Sequence, residues 1–145
     1  QNPSQWEIAC SLPDFRKSMV EEIVRWTTPS CYKRRTACRD FKLGDKLIRA
    51  GQKVTFWEMS ANRDESYFEQ PFIFDILRDP NKHLGFGAGA HFCLGASLAR
   101  LELKIVFEKL SSQKIAFVLD GDPEWVPNNR LVGLKTLPVK VVAAR

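Results

Sequence analysis

At 145 residues, with 44% apolar and 27% charged side chains, the chain is long enough to bury a core yet carries no apolar run near the roughly 18 residues of a membrane span. Its net charge of +5 is dispersed, and the one tight cluster, Lys33-Arg34-Arg35 with Arg39, falls in a strand-like stretch without stacking aromatics or a recognition-helix pattern, which argues against nucleic acid and for anionic groups of a ligand. Cys10, Cys31, Cys38 and Cys93 show no C-x-x-C spacing, too sparse for a disulfide framework, so a reduced cytoplasm is the simpler compartment.

The segment Gln1 to Glu7 has neither the basic flank nor the apolar stretch of a secretory signal, and its lack of an initiator Met suggests that the start belongs to something longer. Pro13-Asp14 opens a predicted helix to about Trp26, in which Phe15, Met19, Ile23 and Trp26 recur at helical spacing. Thr28-Pro29-Ser30 ends it, because the residue before a proline is pushed away from helical geometry. Inside that helix Glu22 and Arg25 are neighbours able to form an ion pair. Strands are predicted for Tyr32 to Ala37, Lys46 to Ile48 and Val54 to Met59, separated by turns at Leu43-Gly44-Asp45 and Ala50-Gly51-Gln52. A short helix is expected over Ser60 to Glu65, then irregular coil from Glu69 to His83. A long helix follows from Leu94 to Leu110, with Leu94, Leu98, Leu101, Ile105 and Val106 along one side. Ile115-Ala116-Phe117-Val118 and Val139-Lys140-Val141-Val142 read as closing strands around a loop rich in Pro, Asn and Gly. The composite is α+β and mainly α. Trp6, Trp26, Trp57 and Trp125 are more aromatic bulk than so few elements cover comfortably.

The most informative stretch is Phe86-Gly87-Ala88-Gly89-Ala90-His91-Phe92-Cys93-Leu94-Gly95, running into Ala96-Ser97-Leu98-Ala99-Arg100. It sets one cysteine, among glycines and a histidine, at the doorway of an amphipathic helix. Glycine tolerates positive φ and brings no side chain, so the backbone can bend and come close to a flat ligand. Backbone N–H groups at a helix start favour negative charge, and a thiolate rather than a thiol is the metal-binding form of cysteine. His91 has other readings, as a zinc ligand with Cys93 or as an ordinary loop histidine. Zinc needs three or four ligands, and His83, Cys31 and Cys38 have no ligand-like spacing.

The order F-x-x-G-x-H-x-C-x-G resembles the haem-binding loop of the cytochrome P450 monooxygenases, with every fixed position met, and Glu22-Ile23-Val24-Arg25 matches the E-x-x-R of that family's K helix. The resemblance covers nearly the whole chain. It implies the C-terminal third of the fold: K helix, short β-sheet, meander, cysteine loop, long L helix and C-terminal β-hairpin, as one partial domain over residues 1–145. Cys93 would be the axial ligand to the iron of haem b (iron protoporphyrin IX), its sulfur donating electron density toward O–O cleavage. His91 and Arg35 would meet the haem propionates, a guanidinium suiting a carboxylate bidentately; outside the resemblance, Arg35 is equally a solvated strand charge. Phe86 would shield the sulfur or serve simply as core, while Gly87, Gly95 and Ala99 leave room for the macrocycle. Glu22 and Arg25 would brace the loop. The third member of their cluster is an arginine in many relatives, in a P-x-R-F motif where this chain reads Pro71-Phe72-Ile73-Phe74, and Arg78 is the nearest substitute.

Pro29, Ser30, Cys31, Leu131 and Val132 match segments that line the family's substrate pocket. Stretches such as Pro80-Asn81-Lys82-His83-Leu84-Gly85-Phe86-Gly87 are similar to bacterial members acting on sterols and methyl-branched lipids. The implied enzyme takes O2, a hydrophobic small molecule and two electrons from a ferredoxin-type or other donor, for whose docking face Arg100, Lys104 and Lys82 are candidates. No run resembles the oxygen-activating distal helix, so no residue here is assigned a catalytic step. The rival expectation is a non-catalytic haem-binding remnant, or a truncated product inactive alone.

Overall fold

Proline is well placed at the start of a helix, where its missing N–H has no partner to lose, and Pro3 opens α1 (Pro3–Ser11) in this way. The chain is seen here in a computed structural model that describes residues 2–12 and 17–143. Helix α1 was not expected from the sequence, because nine residues of weak amphipathicity carry little periodic signal. It is fastened from outside: the Trp6 indole donates to the Ile115 carbonyl at 2.9 Å. Helix α2 (Lys17–Thr27) carries the predicted amphipathic pattern; the expected start at Pro13-Asp14, with Phe15, lies outside the described residues. Ala9, Met19, Val20 and Ile76 form the fully buried apolar core, flanked by Trp6, Ile23, Phe74, Leu103 and Phe107.

Helix α2 ends on Thr28, whose φ of +37° is left-handed, a conformation that glycine usually supplies at this position. A β-branched residue stands there because its hydroxyl is held at both ends. Thr28 Oγ1 donates to the Arg25 carbonyl at 2.6 Å and accepts from Asn62 Nδ2 at 2.9 Å.

The strands pair as antiparallel ribbons. β1 (Tyr32–Thr36) runs against β4 (Lys53–Trp57), with Arg35 opposite Val54. Between them, β2 (Phe41–Leu43) and β3 (Lys46–Ile48) form a hairpin turning at Gly44, whose φ is +56°. β2 was missed, since three residues give alternation too short to read. The predicted helix over Ser60 to Glu65 begins earlier, as α3 (Glu58–Ala61). Its register is set by the buried Glu58 carboxylate, which Lys33 Nζ of β1 holds at 2.6 Å, and it stops where Asp64 caps the next turn through Ser66. Residues 69–79 are turns and coil, as expected.

Helix α4 (Ala96–Ser112) is followed by β5 (Ile115–Leu119), which pairs with β8 (Val139–Ala143); the short β6 (Glu124–Trp125) and β7 (Leu134–Thr136), both unpredicted, pair in the loop between. The apolar side of α4 read from the spacing is the open one: Leu98, Leu101, Ile105 and Val106 are 52–60% exposed and Leu94 fully so, whereas Leu103 and Phe107 pack on the core to which α1 and α2 contribute and Ala96 is buried. The helix carries two adjacent apolar faces, and periodicity alone does not say which one this chain covers. Trp57 and Trp125 likewise stay more than half exposed.

Candidate functional site

Three features of the backbone shape the segment between β4 and α4 into a loop around Cys93. Gly85 packs so tightly on α2 that a Cβ there would stand 2.7 Å from Val24 Cγ1, so only glycine lets this turn lie on the helix. Gly87 (φ +72°) and Gly89 (φ +63°) then turn the chain through conformations that side chains resist. Finally the Cys93 N–H donates to the Phe86 carbonyl at 2.8 Å, closing the loop, and the Cys93 carbonyl accepts the Ala96 N–H at 3.2 Å as α4 begins. The expected helix start at Leu94 therefore falls two residues later, after Gly95. His91 is exposed on the 3-10 turn Gly89–His91.

Cys93 is itself exposed. Among the described residues no three His, Cys, Asp or Glu side chains gather to hold a metal ion, so its sulfur belongs to no such protein cluster. Around it stand the half-exposed Phe92 ring, the fully exposed Leu94, and Gly95, where a side chain would meet nothing within 4 Å. A lone soft donor on an open apolar floor fits a flat group that brings its own in-plane ligands, as haem does. Behind the loop, Gly85, Phe86 and Ala99 line a cavity of about 510 Å³ together with Val24, Pro29 and Val106. A larger cavity of about 600 Å³, among Trp6, Met19, Phe74 and Phe117, contains none of the loop residues. Arg35 is exposed on β1, donating to the Arg34 carbonyl and lying 5.9 Å from the centre of the Phe56 ring.

Below the loop lies a network of buried charge. Glu22 and Arg25 are both fully buried. Arg25 grips the Glu22 carboxylate with Nε at 2.7 Å and Nη2 at 2.8 Å, and its remaining donors reach the carbonyls of Asn62, Pro71 and Ile73 at 2.8–3.1 Å. Glu22 in turn accepts the Asp75 N–H and Asn81 Nδ2, each at 2.9 Å. Arg78 reaches the same carboxylate, its Nε 3.2 Å from Glu22 Oε2 and its Nη groups on the carbonyls of Glu69, Gln70 and Ile73. Asn62, which the sequence did not single out, ties this network to the loop: its Oδ1 accepts the Leu84 N–H at 2.7 Å while its Nδ2 holds Thr28.

A second cluster was also missed. Glu21 accepts from Arg100 at 2.7 and 2.9 Å and from His83 Nε2 at 2.9 Å, and the Arg100 guanidinium lies 4.6 Å from the centre of the Phe86 ring. Burial pushes the Glu21 carboxyl up, but hydrogen bonds and charge from Arg100 and His83 outweigh it and leave it below the ordinary range. Burial depresses His83, which Glu21 only partly offsets; its Nδ1 accepts the Gly85 N–H at 3.1 Å, so the proton of the neutral ring sits on Nε2. Arg100, one of the three candidates for a docking face, is thus paired within the chain while its side chain stays 31% exposed, and Lys82 and Lys104 are exposed. The adjacent glutamates Glu21-Glu22 were the available signal.

The five expected substrate-pocket residues meet through the backbone. Ser30 bridges to Leu131, the Cys31 N–H donates to Arg130, and the Val132 N–H donates to Pro29, both at 2.8 Å.

Residues 14–141 match the family model of cytochrome P450. The methyl-branched lipid omega-hydroxylase of Mycobacterium tuberculosis is 50% identical over 121 residues, which cover 83% of this chain and 28% of that protein. The steroid C26-monooxygenase of Mycolicibacterium smegmatis is 41% identical over 145 residues, 99% of this chain and 34% of that protein. Among solved structures, P450BioI in complex with an acyl carrier protein ligated to hexadec-9Z-enoic acid superposes with a TM-score of 0.89 at 38% identity, covering 96% of this chain and 36% of that one. The chain spans about a third of the length of the curated relatives it matches.

Proposed function

The chain belongs to the cytochrome P450 family, and on that premise we propose that it forms the proximal, C-terminal third of a haem-thiolate monooxygenase that hydroxylates a lipid or sterol-like substrate. The observation that carries this reading is Cys93: exposed, in no metal-holding protein cluster among the described residues, and held by a closed Phe86–Cys93 loop at the head of α4. Haem b is the family's cofactor, and when bound it supplies the activation of O2, with two electrons from a ferredoxin-type or other donor, that inserts one oxygen atom into a C–H bond.

The chain's own residues bind and orient. Cys93 holds the iron through its sulfur, with Phe86 shielding it from water. Gly87, Gly95 and Ala99 leave room for the ring. His91 and Arg35 anchor the propionates, Arg35 as a planar donor matched to a carboxylate. Glu22, Arg25 and Arg78 lock the coil of residues 69–83 beneath the loop. The paired segments around Pro29, Ser30, Cys31, Leu131 and Val132 border the substrate, and the names of the two mycobacterial relatives point to a methyl-branched or steroidal one. No described helix is long and apolar enough to cross a membrane; the reading of a cytoplasmic enzyme rests on four free cysteines too sparse for a disulfide framework.

The exposed leucines of α4 favour a second reading for this stretch in isolation, that of a haem-binding piece without turnover. Reconstitution with haem and a reduced spectrum under carbon monoxide test the proposal. A red-shifted, thiolate-type band that vanishes in Cys93→Ala is expected. A histidine-type band, or no haem uptake, would overturn it.

A further inference from the structure

Resting on Cys93 as the haem ligand proposed above, we infer that Glu21 is a positioning residue for the thiolate, acting through Arg100, His83 and Phe86 without touching the sulfur. One carboxylate joins three parts of the chain that meet around the loop. From α2, Glu21 accepts two hydrogen bonds from Arg100 of α4, a bidentate pair 79 positions apart in sequence. It accepts a third from His83, whose other ring nitrogen takes the N–H of Gly85, the residue pressed against Val24. Arg100, so held, presents its guanidinium to the Phe86 ring at 4.6 Å, a favourable cation–π distance. Phe86 carries the carbonyl that accepts the Cys93 N–H.

The sulfur's position therefore depends on a peptide whose side chain is pinned by Arg100 and whose preceding turn is pinned by His83, both through Glu21. The His83 side chain is 2% exposed and that of Glu21 12%, so water competes weakly for these bonds. The Glu22–Arg25 network acts at other points: it holds the coil of residues 69–83 and, through Asn62, the Leu84 N–H, whereas Glu21 reaches Gly85 and Phe86. Partners of metal ligands that fix ligand orientation commonly matter about 10- to 100-fold in metal affinity or activity.

The test uses haem-loaded, full-length protein. In Glu21→Gln and Arg100→Met, we expect haem transfer to apomyoglobin to speed up about 10-fold, and the thiolate-type carbonyl band to convert faster to the short-wavelength form. Arg100→Lys, which keeps a charge but not the planar fork, should fall between them and wild type, and it stands in should the other variants fail to fold. The double variant should be no worse than the worse single one, because both break the same link. A core variant remote from the loop, Met19→Ala, should lower the melting temperature without speeding band conversion below it, which separates positioning from general destabilisation. Wild-type transfer and conversion rates in Glu21→Gln and Arg100→Lys would overturn the role of Glu21 while leaving Cys93 as ligand. A thiolate band surviving in Cys93→Ala would instead overturn the reading on which it rests.

Discussion

Two faces of the same small fold invert the usual arrangement. Beneath the cysteine loop, Glu22, Arg25, Thr28 and Asn62 have no exposed surface at all, while on the far side of α4 Leu98, Leu101 and Ile105 are more than half exposed. The difference shows that burial here follows hydrogen-bond satisfaction and the reach of the chain rather than hydropathy. Arg25 can be buried because every one of its guanidinium nitrogens has a partner at 2.7–3.1 Å. The α4 leucines lie open in a chain that spans about a third of its relatives' length.

The sharpest way to break this comparison is to remove one partner from the buried side. Arg25→Met leaves the buried Glu22 carboxylate without its bidentate partner and with Arg78 still beside it, and losing one member of such a pair costs about 3–5 kcal/mol. Urea unfolding followed by circular dichroism should show that loss, with a collapse of haem uptake. An unshifted midpoint would mean that the network is relayed through Arg78 instead.

A milder test uses acid. The folded chain holds His83 below its usual pKa of 6.5 and Glu21 below 4.5, so in both cases the unfolded chain binds protons more readily. Stability should fall as pH drops below about 6.5, through His83, and again below about 4.5, through Glu21. Protonation also turns His83 Nδ1 into a donor facing the Gly85 N–H, amid the charges of Glu21, Arg100 and Arg25. Melting temperatures between pH 8 and pH 5 should decline in wild type and flatten in His83→Gln; equal slopes would remove His83 from the account.

The smallest change in stability is expected on the open side. Leu101→Lys leaves an already exposed site exposed, so the chain alone should change by no more than about 0.5 kcal/mol. Light scattering should nonetheless show less association, since a large exposed apolar patch promotes it. A substantial loss of stability would show that Leu101 is covered within this chain.

Much of this was legible where the signal is local. The apolar spacing from Met19 to Trp26 marked α2, and the strand-like residues marked β1 and β4, though not their pairing. Arg78 was read as the nearest substitute for a third partner from its place in the coil, and its Nε lies 3.2 Å from Glu22 Oε2. Helix α1 was not legible, because a tertiary bond from Trp6 to Ile115 helps to hold it. Glu58 drew α3 forward through Lys33, 25 positions away, and Arg100 was assigned to solvent because its partner lies 79 positions upstream.

The sequence by itself determined the cysteine loop, since the cysteine, the glycines that turn the chain and the histidine beside it all fall within ten residues and need no distant partner to be recognised. Only the tertiary structure decided what braces that loop and which face of α4 is covered. Glu21 with Arg100, Asn62 with Leu84, and Ser30 with Leu131 meet because the path of the backbone brings them together. Hydrogen bonds are directional and short-ranged, so composition and spacing leave such pairings unspecified.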